Sequence, residues 1–386
     1  MATVPSPRDD ATLHDPLECP PLSWGIMGCG RVSHDFCQAL KLVPSAKIVA
    51  CATGSSLERA QTFADKHGIS KAHGDYESLL KNEAVDIVYC GNVHSFRRRD
   101  GEQCLLAGKH VLLEKPFACS VEDAKYLIAL AKERDLFLME GMWTRFFPAF
   151  EKARELVDSG AIGAVVNVAS DFNFNAADSE AYPDSFVYQR KLGGGASLLT
   201  GPYPISAALA FFQSRRPAKV HMVGQVDAAT GVDLQAAVVM NFTPTEATAD
   251  PSSPQLPGAG VATLSYGMVG ESKETTTVVG TKGRLTIESP AHCPTGLTVE
   301  IKGSGRGQAA GTTRYDYPLP ENTPTMESAG GFFYPNSAGF CYEAAAVARC
   351  IAKRQCPQFT LDETLICQEI LEQARAQLKI KSVHEE

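Results

Sequence analysis

Trp24-Gly25-Ile26-Met27-Gly28-Cys29-Gly30-Arg31-Val32-Ser33 is the stretch whose reading decides the fold. A short apolar run passes through two glycines into a segment of helical character. The pattern is Gly-x-Gly-x-x-Gly with Ser33 in the third slot. In a strand–turn–helix unit the first glycine permits a tight turn, and the second lets backbone amides approach a pyrophosphate. The third slot needs only a small residue for helix–strand packing, which serine satisfies. The helix N-terminus adds amides and the positive end of a dipole. Gly28, Cys29, Gly30, Arg31 and Val32 are therefore the expected pyrophosphate cradle of a dinucleotide-binding domain.

Outward from this unit, short apolar runs recur at 47–51, 86–90, 110–113 and 136–139. None alternates, as expected of strands buried on both faces. Between them, 57–67 reads as a helix opened by Ser55-x-x-Glu58 and closed by Gly68, and 121–134 as one opened by Ser120-x-x-Asp123. Strand–helix alternation predicts an α/β Rossmann domain over 22–148 with a doubly wound parallel sheet.

The pattern then changes. A helix at 150–159 and a strand at 165–174 precede runs at 218–226, 234–242, 261–266, 275–279, 284–287 and 297–301. Their spacing predicts a large, mostly antiparallel sheet in a second α/β domain over 149–386. Gly280-Thr281-Lys282-Gly283 reads as a hairpin turn. Residues 243–260 hold four prolines and read as a solvent loop. Helices are expected at 337–353 and 361–378. Residues 1–21, with five prolines and four acids, read as a flexible extension and not as a signal or transit peptide.

Composition narrows the class. A chain of 386 residues suits two domains. A net charge of −8 argues against a nucleic-acid partner. No apolar run approaches the roughly 18 residues of a membrane span. The twelve cysteines include no CxxC pair. They read as reduced thiols of a cytoplasmic protein, with neither a disulfide framework nor a metal site. His292 beside Cys293 has no further ligands at metal spacing.

Two more stretches bear on chemistry. The second strand ends in Ala52-Thr53-Gly54-Ser55-Ser56, with no acid to accept a ribose 2′-hydroxyl. Ser55 and its neighbours tolerate a 2′-phosphate, so NADP is the expected cofactor and NAD the alternative. The serines also suit a helix cap, and Arg59 lies one turn on. Glu114-Lys115-Pro116 ends a strand where ligands bind in open α/β sheets, so Lys115 can hold a substrate hydroxyl. Arg97-Arg98-Arg99 reads as a solvated helix face. Asp171 and Asn173 share one strand face, toward either the cleft or solvent.

The runs Ala107-Gly108-Lys109-His110-Val111-Leu112-Leu113-Glu114-Lys115-Pro116 and Met139-Glu140-Gly141-Met142-Trp143-Thr144-Arg145-Phe146-Phe147-Pro148 resemble the glucose-fructose oxidoreductase and inositol dehydrogenase family. Within it they are most similar to dimeric dihydrodiol dehydrogenases and NADP-dependent D-xylose dehydrogenases. The resemblance spans about 22–380. It implies Lys115 and Tyr203 (in Gly201-Pro202-Tyr203-Pro204) as catalytic residues. It implies Asn92, His94, Glu114, Trp143 and Arg145 at the cofactor, although Trp143 suits domain-junction packing as well. It implies a sugar or cyclic trans-diol substrate and a homodimer formed through the open sheet. One departure stands out: Leu199 occupies the place of the family's aspartate, four residues before the tyrosine. That departure supports an alternative, a cofactor-binding sensor without catalysis. The expected chemistry has Tyr203 taking the hydroxyl proton while Lys115 lowers its pKa.

Overall fold

A computed structural model describes residues 17–243, 259–305 and 309–385. Six strands, β1 (Leu22–Met27), β2 (Ala46–Ala52), β3 (Ala72–His73), β4 (Ile87–Cys90), β5 (His110–Glu114) and β6 (Leu138–Gly141), form one parallel sheet. Their order is β3-β2-β1-β4-β5-β6. The strand order reverses between β1 and β4, which opens a crevice at their carboxyl ends.

Neighbouring strand residues feed two separate cores. Ile26, Tyr89 and Leu112 belong to one, and Met27, Val88, Val111 and Leu113 to the other. This is the period of two of a strand covered on both sides, and it explains the continuous apolar runs. Helix Leu57–His67 starts at Ser56, one residue after the expected Ser55, with the Ser56 side chain accepting from Arg59 N, and stops at Gly68 with φ 70°. Ser120 caps helix Val121–Glu133 in the same manner.

The second sheet has eight strands: β7 (Val165–Asn173), β8 (Lys219–Val226), β9 (Asp233–Phe242), β10 (Gly260–Gly267), β11 (Thr276–Gly280), β12 (Gly283–Ile287), β13 (Gly296–Lys302) and β14 (Ala309–Asp316). The order is β14-β13-β12-β11-β7-β10-β9-β8, antiparallel except for the β7–β10 pair. β11 and β12 are the expected hairpin. On β9, Val238 and Met240 are buried while Val239 between them is 44% exposed. One sheet face therefore carries the core and the other is open.

Two of the elements that escaped sequence reading did so for opposite reasons. β14 is almost wholly exposed, so no apolar alternation marks it, and backbone pairing to β13 holds it. Helix Pro202–Phe211 is buried at every position, so it shows no polar face.

Residues 17–21 do not behave as a loose extension. Cys19 Sγ lies 3.0 Å from Ser45 Oγ, Arg349 Nη1 donates to Glu18 O at 3.1 Å, and Leu17 packs on the core. Residues 1–16 of that segment, and 244–258 of the expected solvent loop, lie outside the described residues. All twelve cysteines are free thiols. Among the described residues, no helix is long and apolar enough to cross a membrane.

Arg145 ties the halves of the chain together. Its guanidinium is fully buried, pairs with Glu363 at 2.7 Å and donates from Nε to Ser206 Oγ at 2.8 Å. Removing one partner of a buried pair leaves an uncompensated charge. We therefore expect Arg145→Met to lower unfolding free energy by about 3–5 kcal/mol. The combined Arg145→Met, Glu363→Met variant should recover part of that loss. Urea melts of the three proteins measure both effects.

Candidate active site

The glycine turn fits a dinucleotide. Gly28 has φ 89°, and a Cβ there would overlap the Asn92 side-chain oxygen. Gly30 has nothing within 4 Å of its would-be Cβ, so its backbone faces open space. Ser33 in the third slot packs against Gly91, where any Cβ would strike its hydroxyl. Helix and β4 thus approach as closely as the motif requires. The cleft in front of this turn has a volume of about 1280 Å³ and is lined by Gly28, Cys29, Gly30, Thr53, Ser55, Arg59, Asn92 and Arg99 among others.

The end of β2 presents hydroxyls and a cation. Thr53 Oγ1 accepts from Ser55 N and Ser56 N, both at 3.2 Å, which folds the turn. Arg59 Nη1 donates to Ser55 Oγ at 3.1 Å, so the guanidinium reaches back to the strand end. Asn92 is fixed by Tyr76 and by Asp100, to which its Nδ2 donates at 2.6 Å. Arg31, the first helical residue, pairs with Glu180 of the second domain at 3.0 Å. Val32 is partly buried against the core.

Lys115 and Tyr203 lie beyond this cleft and come together. Lys115 Nζ is 4.8 Å from the centre of the Tyr203 ring and donates to Leu199 O at 2.9 Å. Tyr203 Oη accepts from Trp143 Nε1 at 3.1 Å. Trp143 is stacked on Phe340 at 4.2 Å, so it is both a packing residue and a partner of the tyrosine. Thr200 is turned away, donating to Ala196 O at 3.1 Å.

The electrostatics reverse the expected relation between the two groups. Burial pushes the Lys115 ammonium down to about 8. Burial pushes the Tyr203 phenol well above its ordinary value, and the Glu114 carboxylate adds to the rise. The apolar surroundings penalise both charged forms.

Several residues sit differently from their sequence reading. Arg97 is not on a solvated face. It is buried, and donates to Asn92 O at 3.0 Å and Lys115 O at 3.3 Å. Arg145 lies in the buried ion pair described above, with no exposed surface. Glu114 is buried, accepting from Tyr89 Oη at 3.1 Å and Lys115 N at 3.0 Å. His94 is buried and its Nδ1 donates to Gly193 O at 2.8 Å; burial holds the ring well below its usual pKa, so it is neutral. Asp171 turns to the chain before β11, accepting from Glu274 N at 2.7 Å. Asn173 Nδ2 donates to Ser265 Oγ at 3.3 Å. His292, set aside as a poor metal ligand, stands against Tyr203 with 5.3 Å between ring centroids. Nothing in the local sequence flagged it, because the contact joins residues 89 positions apart.

A parallel sheet with a glycine turn at its switch point, and a lysine–tyrosine pair at the end of β5, define a nucleotide-dependent oxidoreductase. The chain belongs to the GFO/IDH/MocA family. Residues 22–142 match the oxidoreductase family, NAD-binding Rossmann fold, and 150–286 match the GFO/IDH/MocA C-terminal domain. Trans-1,2-dihydrobenzene-1,2-diol dehydrogenase of Sus scrofa is 34% identical over 357 residues, covering 92% of this chain and 96% of that protein. The Homo sapiens protein of the same name is 32% identical with the same coverage. Among solved structures, a 3-ketoreductase from Actinomadura kijaniata in complex with NADP and TDP-benzene superposes with a TM-score of 0.71 at 23% identity, covering 92% of this chain and 98% of that one. An aldose-aldose oxidoreductase from Caulobacter crescentus gives 0.74 at 23% identity, over 93% and 98%. The chain is thus an oxidoreductase of the dehydrogenase class.

The glycine turn yields a direct test. Gly28→Ala must place a side chain at positive φ, against Asn92. The left-handed backbone alone costs a non-glycine residue roughly 1–2 kcal/mol. We expect nucleotide affinity by calorimetry to fall at least about tenfold, since each 1.4 kcal/mol is tenfold. Gly108→Ala, at φ 75° with open space around it, should leave that affinity unchanged.

Proposed function

We propose that this chain is an NADP-dependent dehydrogenase that oxidises a cyclic trans-diol or a sugar at a secondary hydroxyl. The observation that carries this reading is the Lys115–Tyr203–Trp143 nest at the end of β5, one loop away from the nucleotide cleft. The relatives named for dihydrobenzene-diol dehydrogenation support the diol, and the sugar-acting structural neighbours support the sugar. The aromatic lining around Tyr203 favours the diol of the two. We further infer a cytoplasmic homodimer that covers the open face of the second sheet.

The amides at Gly28 to Gly30 would hold the pyrophosphate. Ser55 and Arg59 would hold a 2′-phosphate, and Arg99 on the same cleft wall adds positive charge. The nicotinamide, when bound, supplies the hydride acceptor. Asn92 and the Val93–His94 turn would border it, since they link the cleft to Lys115. Tyr203, kept a phenol by burial, donates a hydrogen bond to the substrate oxygen. Lys115, poised near 8, takes the hydroxyl proton onto Nζ as the neutral amine. This replaces the expectation that tyrosine is the base. In the reverse direction the ammonium returns the proton.

The sign of the pH dependence follows. Diol oxidation needs the neutral amine, so kcat/KM should climb as pH rises through about 8 and then level. Ketone reduction needs the ammonium and should fall through the same region. Lys115→Met should lose about 10²–10⁴ in rate and flatten both profiles. Cofactor choice is tested separately by titration. NADP should bind more tightly than NAD, and Arg59→Ala should erase most of that difference. Tight nucleotide binding without turnover of a trans-dihydrodiol or D-xylose would instead favour the sensor reading raised by Leu199.

A further inference from the structure

The second domain brings a histidine–glutamate pair to the tyrosine that the proposed chemistry does not yet use. His292 is stacked on Phe172 with 4.5 Å between centroids and 9° between planes. The same ring lies 5.7 Å from Trp143 and 5.3 Å from Tyr203. Its Nδ1 pairs with Glu274 Oε1, which also accepts from the His292 backbone N at 3.0 Å. An oxygen that takes two N–H donors is a carboxylate acceptor. Nδ1 is therefore the donor to Glu274, and Nε2 is the ring nitrogen left for another partner.

That nitrogen has only a weak partner. Nε2 lies 3.3 Å from Cys293 Sγ, a thiol kept protonated by burial. Thiols are poor donors, so a hydroxyl would displace this one at a gain. The side chains of His292 and Glu274 are 9% and 14% exposed, shielded from bulk water but not sealed.

The pair is held by structure that aromatic packing alone does not call for. Glu274 has φ 56°, a left-handed conformation that disfavours any residue with a side chain. The Asp171 carboxylate fixes it there, accepting from Glu274 N at 2.7 Å and Thr275 N at 3.1 Å. Ala291 N donates to Glu274 O at 3.1 Å and closes the arrangement from the other side. Asp171, Glu274 and His292 thus form a chain ending in a ring nitrogen beside Tyr203. Leu199 supplies nothing comparable, because its side chain is apolar and its carbonyl is taken by Lys115.

We propose that Glu274 and His292 form the site for a second substrate hydroxyl. That hydroxyl hydrogen-bonds to His292 Nε2 in place of the Cys293 thiol, and the contact selects vicinal diols over single alcohols. Asp171 is the positioning residue behind the dyad. The inference rests on the reading of Lys115 and Tyr203 as the reacting centre.

The test compares trans-cyclohexane-1,2-diol with cyclohexanol as substrates of the NADP-loaded protein. Wild type should favour the diol in kcat/KM by about tenfold or more, the value of one good hydrogen bond. His292→Phe preserves the stack on Phe172 but lacks the nitrogen. It should lose that preference, with cyclohexanol turnover and NADP affinity within about twofold of wild type. His292→Gln, which places a carbonyl or amide near the Nε2 position, should restore part of the preference. Equal losses on both alcohols in His292→Phe would make the residue structural and overturn the inference, as would an unchanged ratio. Wild type that binds NADP yet oxidises neither alcohol would overturn the proposed function itself, and the dyad with it. That outcome is read from wild type alone, so the two failures are distinct.

Discussion

The buried Arg97 guanidinium spans the ends of β4 and β5, and the geometry of the whole site depends on it. Its Nε and Nη2 reach the backbone carbonyls of Asn92 and Lys115, one on each loop. A buried cation is costly unless it is paired and hydrogen-bonded. Glu114 supplies the charge, while Tyr89 and the Lys115 amide hold that carboxylate in turn. The nucleotide side and the reacting side of the sheet are thereby fixed to one another. Two further carboxylates lie close by. Burial pushes Glu140 up to about 7 and Glu343 well above the usual range. The apolar interior thus disfavours the charged form of both.

The same arrangement accounts for the lysine. Burial lowers its pKa most, Glu114 opposes that, and Arg97 reinforces it. A lysine beside a buried arginine gives up its proton more easily than one beside a lone carboxylate. The cation that sets the loop geometry therefore also tunes the group that exchanges protons.

What sequence made legible was local. The glycine turn, the Ser56 and Ser120 caps, the two-faced strands and the hairpin at Gly280 all follow from residues within a few positions of each other. Lys115 could be read from its place at the end of a strand. Tyr203 could not: its helix is apolar all round, and only the family resemblance pointed to it. Arg97 was misread because three arginines in a row look solvated, and nothing nearby shows that the first turns inward. His292 and Glu274 were invisible as a pair, since a left-handed residue before β11 and the turn after β12 meet only in the folded sheet. β14 has no apolar signature, because the pairing that holds it is made by the backbone.

Leu199 gains a different meaning in this setting. Read as sequence, it is a lost carboxylate and an argument against catalysis. In the structure its backbone carbonyl still receives the Lys115 ammonium, so the lysine is held in place without the side chain. An aspartate in that position would put a second negative charge near Lys115 and favour its protonated form. A leucine adds no charge, and the lysine stays near 8, where amine and ammonium are both populated. The substitution therefore separates two tasks that one carboxylate would combine. Lys115 is left to move the proton, and the polar contact to a second substrate oxygen falls to His292 in the turn after β12 of the second domain.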